Sequence, residues 1–171
     1  MSNPLFYTLK IVTSPIPAND HIEKFLGKCD DLWTYYCSAQ NKKYVSNRFF
    51  CNDSLRTRVI GYQMYKFDIK GFLFFVYNFY YTQLSKSIID PYKVSDAGGK
   101  FPSGDSYVVY PSKDGTPYHS IRLKVFYDAL QDMAALNALE KLTNKQTCLD
   151  IIEQDGKHSL TFTEYPHKDE W

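Results

Sequence analysis

Phenol and amide side chains cluster where two apolar runs of the sequence end. The candidate binding residues are Tyr35, Tyr36 and Gln40, then Asn47 and Arg48, and after the second run Tyr77, Asn78 and Tyr80. An amide donates and accepts hydrogen bonds together, which suits the paired hydroxyls of a sugar. A tyrosine ring offers a flat apolar face beside a polar group, which suits the C–H face of a sugar ring. These residue types therefore predict a carbohydrate-binding site.

Several of the same residues also have a structural interpretation. Arg48 can pair with an acid such as Asp105 and so hold its loop in place. For Tyr77 and Asn78 the two roles are evenly balanced, because an amide directly after an apolar strand needs a partner. Two further charged residues are expected to anchor a helix or a loop: Arg122 and Asp132.

The sequence predicts no catalytic residue, no metal site and no cofactor. The pair Asp30-Asp31 precedes an apolar run and is expected to lie in a solvated turn, and Asp169-Glu170 lies in a charged tail. None of the four histidines lies in a sequence context with Ser or Cys that is recognisable as a catalytic triad. The four cysteines include no CxxC pair and no zinc-finger spacing, so we expect reduced thiols.

Composition favours a neutral partner. The 171 residues carry 20 Lys plus Arg against 19 Asp plus Glu, a formal charge of +1 that predicts neither nucleic-acid nor membrane binding. No apolar stretch approaches the roughly 18 residues of a membrane span. The segment after Met1 has no signal-peptide pattern, so we expect a cytoplasmic protein if the chain is complete. If the chain is a fragment, this segment leaves the location of the parent protein open.

Hydrophobic periodicity and capping residues predict the elements that would position the candidates. Strands are predicted at 5–12, 32–37, 72–79, 107–110 and 160–162, and helices at 21–26, from Asn52, Asp53 or Ser54 to Phe67, at 121–142 with Ser120 as its cap, and at 147–154. The segment from Thr82 to Ser106, rich in Gly and Pro, is predicted to be a loop insertion. This order is typical of an α/β fold with a parallel sheet and right-handed crossovers in a single domain.

Blocks of residues in one order resemble the domain-of-unknown-function family numbered 4091. The blocks are Leu32-Trp33-Thr34-Tyr35-Tyr36-Cys37, Ser46-Asn47-Arg48-Phe49-Phe50, the run from Gly71 to Tyr80, Gly104-Asp105, Val109-Tyr110-Pro111, Ser120-Ile121-Arg122 and Ala129-Leu130-Gln131-Asp132. That family resembles the C-terminal portion of proteins similar to glycoside hydrolase family 123.

The resemblance implies the C-terminal part of a (β/α)8, TIM-like barrel, with about three strong parallel strands and crossover helices. It implies activity on 2-acetamido sugars, in which an adjacent Asp-Glu pair on an earlier strand acts as the catalytic centre. Binding residues would lie at the C-terminal ends of strands, where barrel active sites are found. Because the candidate residues do not include such a pair, we expect this chain to contact sugar but to be inactive alone.

Two hypotheses follow from the predicted sheet, which has open apolar edges. In the first, the chain is the C-terminal portion of a glycoside-hydrolase-like protein and its missing neighbours are the upstream barrel half. In the second, the chain is a stand-alone, non-catalytic α/β module that binds a ligand or partner and homodimerises through those edges.

Overall fold

A computed structural model describes residues 12–40 and 43–165 of the chain. The predicted first strand therefore falls outside the described residues apart from Val12, as does the pair Asp169-Glu170. The fold is mixed α/β. Its elements are β1 (Trp33–Tyr35), α1 (Ser54–Lys66), β2 (Gly71–Leu73), β3 (Val109–Tyr110), β4 (Tyr118–His119), α2 (Ile121–Leu142) and α3 (Lys145–Ile152), with short 3-10 turns at Ile22–Lys24 and Gln83–Ser85.

The first half of the fold is a parallel β-α-β unit. Strands β1 and β2 pair in parallel with Thr34 opposite Phe72, and α1 connects them. On the other side of β1, the Trp33 amide donates to the carbonyl of Pro15 at 3.0 Å and the Asn19 amide donates to the carbonyl of Tyr35 at 2.8 Å. Three lengths of chain therefore run side by side with β1 in the middle.

Local capping signals set the helices. The Asp53 carboxylate accepts from the Leu55 amide at 2.9 Å at the start of α1, and the Ser120 hydroxyl accepts from the Leu123 amide at 3.3 Å at the start of α2. Helix α2 has the predicted limits at both ends. The predicted helix at 147–154 is present two residues earlier, because the side chain of Asn144 caps it.

Helices α1 and α2 pack closely and are joined by an ion pair. A Cβ atom at Gly61 would overlap the carbonyl oxygen of Ala129, so only glycine allows this approach. Arg58 donates two hydrogen bonds to the Asp132 carboxylate, at 2.6 and 2.8 Å. The anchoring role predicted for Asp132 is confirmed.

The main core lies between the two helices and one face of the β1–β2 pair. Its buried members are Ile22, Leu32, Ile60, Met64, Ile69, Ala129 and Phe162. Phe72 of β2 packs against this core, and its ring centre lies 5.3 Å from that of Phe126 in α2. Because strand side chains alternate, Leu73 points to the opposite face and is exposed. Phe75, two residues further along the chain, is 71% exposed.

The strands are shorter than predicted because backbone pairing ends early. The run expected to be a strand from Phe72 to Phe79 leaves β2 after Leu73, and its end turns to pair antiparallel with the segment before β3. There the Phe79 amide donates to the carbonyl of Ser106 at 3.0 Å. Strand β3 pairs antiparallel with β4 and adds no parallel strand to the β1–β2 pair.

The predicted last strand is instead a turn, because the Thr161 amide donates to the carbonyl of Glu164 at 2.8 Å. The first predicted helix, at 21–26, is a single 3-10 turn. The loop insertion between Thr82 and Ser106 is tied to the fold by the Tyr107 hydroxyl, which donates to the carbonyl of Pro91 at 2.7 Å. Within the described ranges, none of the helices combines the length and apolar character needed to cross a bilayer.

Candidate functional site

A buried group of charged and polar side chains lies next to the segments that follow β1 and β2. We call Tyr36, Arg48, Asp105 and Arg122 the arginine cluster. All four are buried, and Tyr36 is only 1% exposed. They come from four separate segments: the end of β1, the loop before α1, the segment before β3 and the first turn of α2. Tertiary folding alone brings them together.

Arg48 ties the segment after β2 to the segment before β3. Its Nη2 donates to the carbonyl of Val76 at 2.7 Å and to the carbonyl of Asp105 at 3.2 Å. The guanidinium carbon lies 3.1 Å from the centre of the Phe74 ring, a cation–π contact. Burial lowers the pKa of Arg48 to about 10, against the favourable effect of the nearby Tyr36 and Asp105. Arg48 therefore holds these two backbone segments together.

Arg122 holds the other side of the same segment. Its Nη1 donates to the carbonyl of Gly104, and its guanidinium carbon lies 4.4 Å from the centre of the Phe50 ring. Gly104 has a φ of +89°, and a Cβ atom there would overlap the Phe50 ring. Burial lowers the pKa of Arg122. The role of Arg122 as a helix and loop anchor is confirmed.

Burial makes both Tyr36 and Asp105 weaker acids than usual. Burial raises the pKa of Tyr36 well above its ordinary value, so its hydroxyl stays protonated. Burial also raises the pKa of Asp105, although Arg48 and Arg122 oppose the shift. The Tyr36 ring packs edge-on against Phe72 at 4.8 Å and Phe74 at 5.1 Å.

Several polar atoms of this region have no hydrogen-bond partner among the described residues. They are Tyr36 Oη, Arg48 Nε, Asp105 Oδ1, Ser106 Oγ and Arg122 Nη2. Each unpaired buried polar group costs about 1–3 kcal/mol of stability. Buried polar groups are normally paired, so these atoms are the ones in this region with capacity to bond a water molecule or a ligand.

The predicted binding residues form two groups. In the first, Asn47 donates to the carbonyl of Cys37 at 3.0 Å and to Gln40 Oε1 at 2.8 Å, and its own Oδ1 accepts from the Arg48 amide at 2.8 Å. Asn47 is buried, and these bonds use its amide fully. Tyr35, at the end of β1, is half-buried. Asn47 and Arg48 are therefore placed as structural supports.

The second group lies at the surface. Tyr77 and Asn78 are exposed, and the backbone of Asn78 bridges that of Tyr107. The half-buried Tyr80 donates its hydroxyl proton to the carbonyl of Val109 at 2.8 Å. The link between the two groups is the Arg48 bond to Val76, directly before Tyr77.

Sequence reasoning did not include Asp105 and Arg122 among the binding residues, although both lie in the cluster. The signal available was the Gly104-Asp105 block, whose glycine permits the close approach of Phe50 and Arg122. Among the residues that the structure describes, no group of three or more His, Cys, Asp or Glu side chains is placed to hold a metal ion.

A family model described as the catalytic domain of glycoside hydrolase 123 matches residues 2–139. The chain belongs to this family. The match confirms the relation to glycoside hydrolase 123, while the assignment to the family numbered 4091 stays a prediction. In this glycoside hydrolase 123 domain the matched range includes every strand, α1 and most of α2, together with the arginine cluster. A comparison with curated proteins found none that matches the chain.

Proposed function

We propose that this chain is the C-terminal portion of a glycoside-hydrolase-like protein and supplies sugar-contacting residues to a barrel whose catalytic Asp-Glu pair lies on another segment. The observation that carries the proposal is the position of exposed phenol and amide groups beside β2, in a chain that belongs to a glycoside hydrolase family. The substrate class is an oligosaccharide or amino sugar.

The uncovered face of the β1–β2 pair supports the barrel. In a (β/α)8 barrel each strand packs one face against the outer helices and turns the other toward the barrel interior. Phe72 packs against the helices, whereas Leu73 on the other face is exposed. The Trp33 ring lies across Gly71 on this second face, where a Cβ atom would overlap it. Further strands would cover these apolar groups, which water otherwise contacts.

Tyr77 and Asn78 are the residues best placed to contact sugar. Both are exposed and lie beyond the C-terminal end of β2, the side on which barrel active sites are built. Their backbone is held by Arg48 from one side and by Val108, whose amide donates to the carbonyl of Tyr77 at 2.9 Å, from the other. A firmly held backbone lets a surface amide keep its orientation when a ligand binds.

Calorimetric titration of the chain with a 2-acetamido disaccharide tests the binding proposal. We expect Asn78→Ala to weaken binding by about 1–3 kcal/mol, because the sugar hydroxyl it bonds would be left unpaired. Its melting temperature should stay the same. The control is Asn137→Ala, which removes an exposed amide from α2 on a different surface. A fall in stability with unchanged affinity would make Asn78 a structural residue and contradict the proposal.

Hydrolysis tests the non-catalytic part of the proposal. The chain alone should release no nitrophenol from a nitrophenyl 2-acetamido glycoside at any pH between 4 and 8. Turnover that persists after purification to homogeneity and changes with substitution of a residue of this chain would show that it carries its own catalytic groups.

The alternative function is a non-catalytic module that homodimerises, and the exposure of Leu73 and Phe75 favours it equally. Sedimentation equilibrium separates the two. A dimer that Phe75→Lys converts to a monomer, without loss of melting temperature, would support the module. A monomer that still binds the disaccharide would support the barrel portion.

A further inference from the structure

Two cavities lie side by side on the surface between the loop insertion and the start of α2. The first, of about 370 Å³, is lined mainly by aromatic rings, and we call it the tyrosine groove: Phe50, Tyr92, Tyr110 and Tyr118. The second, of about 460 Å³, lies where α1 and α2 begin, and we call it the helix-start cavity. Phe50 and Tyr110 line both cavities, so the two adjoin, and we call them together the depression.

The tyrosine groove presents exposed aromatic rings on which a sugar ring can stack. Tyr118 is 61% exposed, and Tyr92 is exposed as well. The Tyr92 ring lies 5.1 Å from that of Tyr110, and its hydroxyl donates to the carbonyl of Pro111 at 2.7 Å. Tyr110 in turn contacts the buried Tyr107 ring edge-on at 5.2 Å. The rings are therefore held in place, and their exposed faces present apolar surface to a ligand.

The helix-start cavity is rich in hydrogen-bond donors. Arg122 lines it, is only 7% exposed and has an Nη2 without a partner among the described residues. Asn52 lines it too, and its Nδ2 has no partner there either. Ser120 and Ile121 also line this cavity, so the first turn of α2 faces it. The backbone amides and the positive end of the helix dipole there favour an anion.

No acidic residue is among those that line either cavity, whereas Lys93 lines the tyrosine groove. Lys93 forms an ion pair with Asp90, in which Nζ lies 3.7 Å from Oδ2 on the exposed surface. The charged side chains that line the depression are therefore the cations of Arg122 and Lys93. The carboxyl group of Asp105 lies near Arg122 but lines neither cavity, so the unpaired Arg122 Nη2 is a donor for a ligand oxyanion in the helix-start cavity.

We propose that this depression binds an acidic sugar residue, with the ring stacked in the tyrosine groove and its carboxylate or sulfate oxygens in the helix-start cavity. The inference rests on the proposed function for the general affinity for carbohydrate. It adds the substrate class, a uronic or sulfated glycan, and a second binding region distinct from Tyr77 and Asn78. A carboxylate and a sulfate offer the same oxyanion chemistry to a guanidinium and to helix amides.

Four sugars test the proposal by calorimetric titration of the full chain. They are a disaccharide of glucuronate and a 2-acetamido sugar, the same disaccharide with glucose in place of glucuronate, and a 2-acetamido monosaccharide with and without a sulfate ester. We expect the glucuronate disaccharide to bind at least about tenfold more tightly than its neutral counterpart, since only its carboxylate makes a charge-assisted contact with Arg122. The sulfated monosaccharide tells whether sulfate serves as well as carboxylate.

Asn52→Asp is the sharpest variant. The Asn52 oxygen accepts from Arg56 Nη1 at 3.1 Å, and an aspartate keeps that acceptor while it replaces the unpaired nitrogen with a charged oxygen. It should abolish the preference for acidic sugars, measured as the ratio of the affinities for the charged and neutral disaccharides. Asn137→Asp adds the same charge to an exposed part of α2 and should change neither affinity. Tyr118→Ala, at an exposed position, should weaken both disaccharides.

Equal affinity for the charged and neutral disaccharides, or a preference that survives Asn52→Asp in a folded variant, would overturn the acidic-sugar proposal. Neutral binding that depends on Asn78 and not on Tyr118 would overturn it while the proposed function stands. Binding of none of the sugars would overturn both.

Discussion

Tyr36→Phe isolates the contribution of one unpaired hydroxyl in the arginine cluster. Tyr36 is 1% exposed, and its Oη has no hydrogen-bond partner among the described residues. Phenylalanine keeps the ring and therefore keeps the edge-on contacts with Phe72 and Phe74. The variant removes a single oxygen atom and leaves a space smaller than a methyl group. The change in stability should therefore report the cost of burying the hydroxyl.

That cost is about 1–3 kcal/mol for an unsatisfied buried polar group. We expect Tyr36→Phe to raise the free energy of unfolding by about that amount. For a domain of this size, each kcal/mol corresponds to about 2–4 °C in melting temperature. Thermal unfolding followed by circular dichroism at pH 7, with urea unfolding as a second measurement, would detect a rise of this size.

The same variant has a pH signature. Burial raises the pKa of Tyr36, whereas a tyrosine in the unfolded chain titrates near about pH 10. Above pH 10 the unfolded chain loses this proton and the folded chain retains it, so the stabilising contribution is complete below pH 10 and is lost as the pH rises further. The variant should lose less stability than the wild type between pH 9 and pH 11.

A lower melting temperature for Tyr36→Phe would refute this reasoning, because it would mean that the hydroxyl has a partner in the folded protein. An unchanged stability with an unchanged alkaline profile would show that Tyr36 is accessible to water. If the hydroxyl instead serves a ligand, the variant should be more stable and bind sugar more weakly, a combination typical of a functional polar group.

Two further predictions concern the packing of α1 on α2. Gly61→Ala should destabilise the protein by about 1–3 kcal/mol by urea unfolding, although alanine is the better helix former, because its Cβ would overlap the carbonyl oxygen of Ala129. A stabilised variant would show that the helices lie further apart. The Arg58–Asp132 pair, with two hydrogen bonds on a partly exposed surface, should give a coupling energy of up to about 1 kcal/mol in a double-mutant cycle, reduced in 1 M salt. A coupling of zero at low salt would contradict the geometry.

Helices α1, α2 and α3 could be predicted from the sequence because their signals are local, whereas the helix predicted at 21–26 is only a 3-10 turn. Ser120 caps α2 and Asp53 caps α1 through side-chain bonds to amides only two or three residues away. The periodic apolar residues of α2 extend without a break to Leu142. Such signals lie within one or two turns of the chain, so they do not depend on the rest of the fold.

The position of the strands could be predicted from the sequence, but their length could not. The nearly uninterrupted apolar run from Phe72 to Phe79 predicted one strand, yet β2 ends at Leu73. A strand extends only as far as a neighbour pairs with its backbone, and the residues that follow find their partner in the segment of Tyr107. Aromatic content is the same in both arrangements, so sequence pattern could not distinguish them.

The sequence by itself indicated the relation to glycoside hydrolase 123 and placed α1, α2 and α3 to within two residues. Tertiary structure decided which of the candidate residues are buried and which are exposed. It buried Asn47 and Arg48 as supports and left Tyr77 and Asn78 exposed. It also brought Arg122 to Phe50 and to the carbonyl of Gly104, contacts between residues far apart in the chain. Burial and long-range pairing depend on the whole packed chain, and no local pattern encodes them.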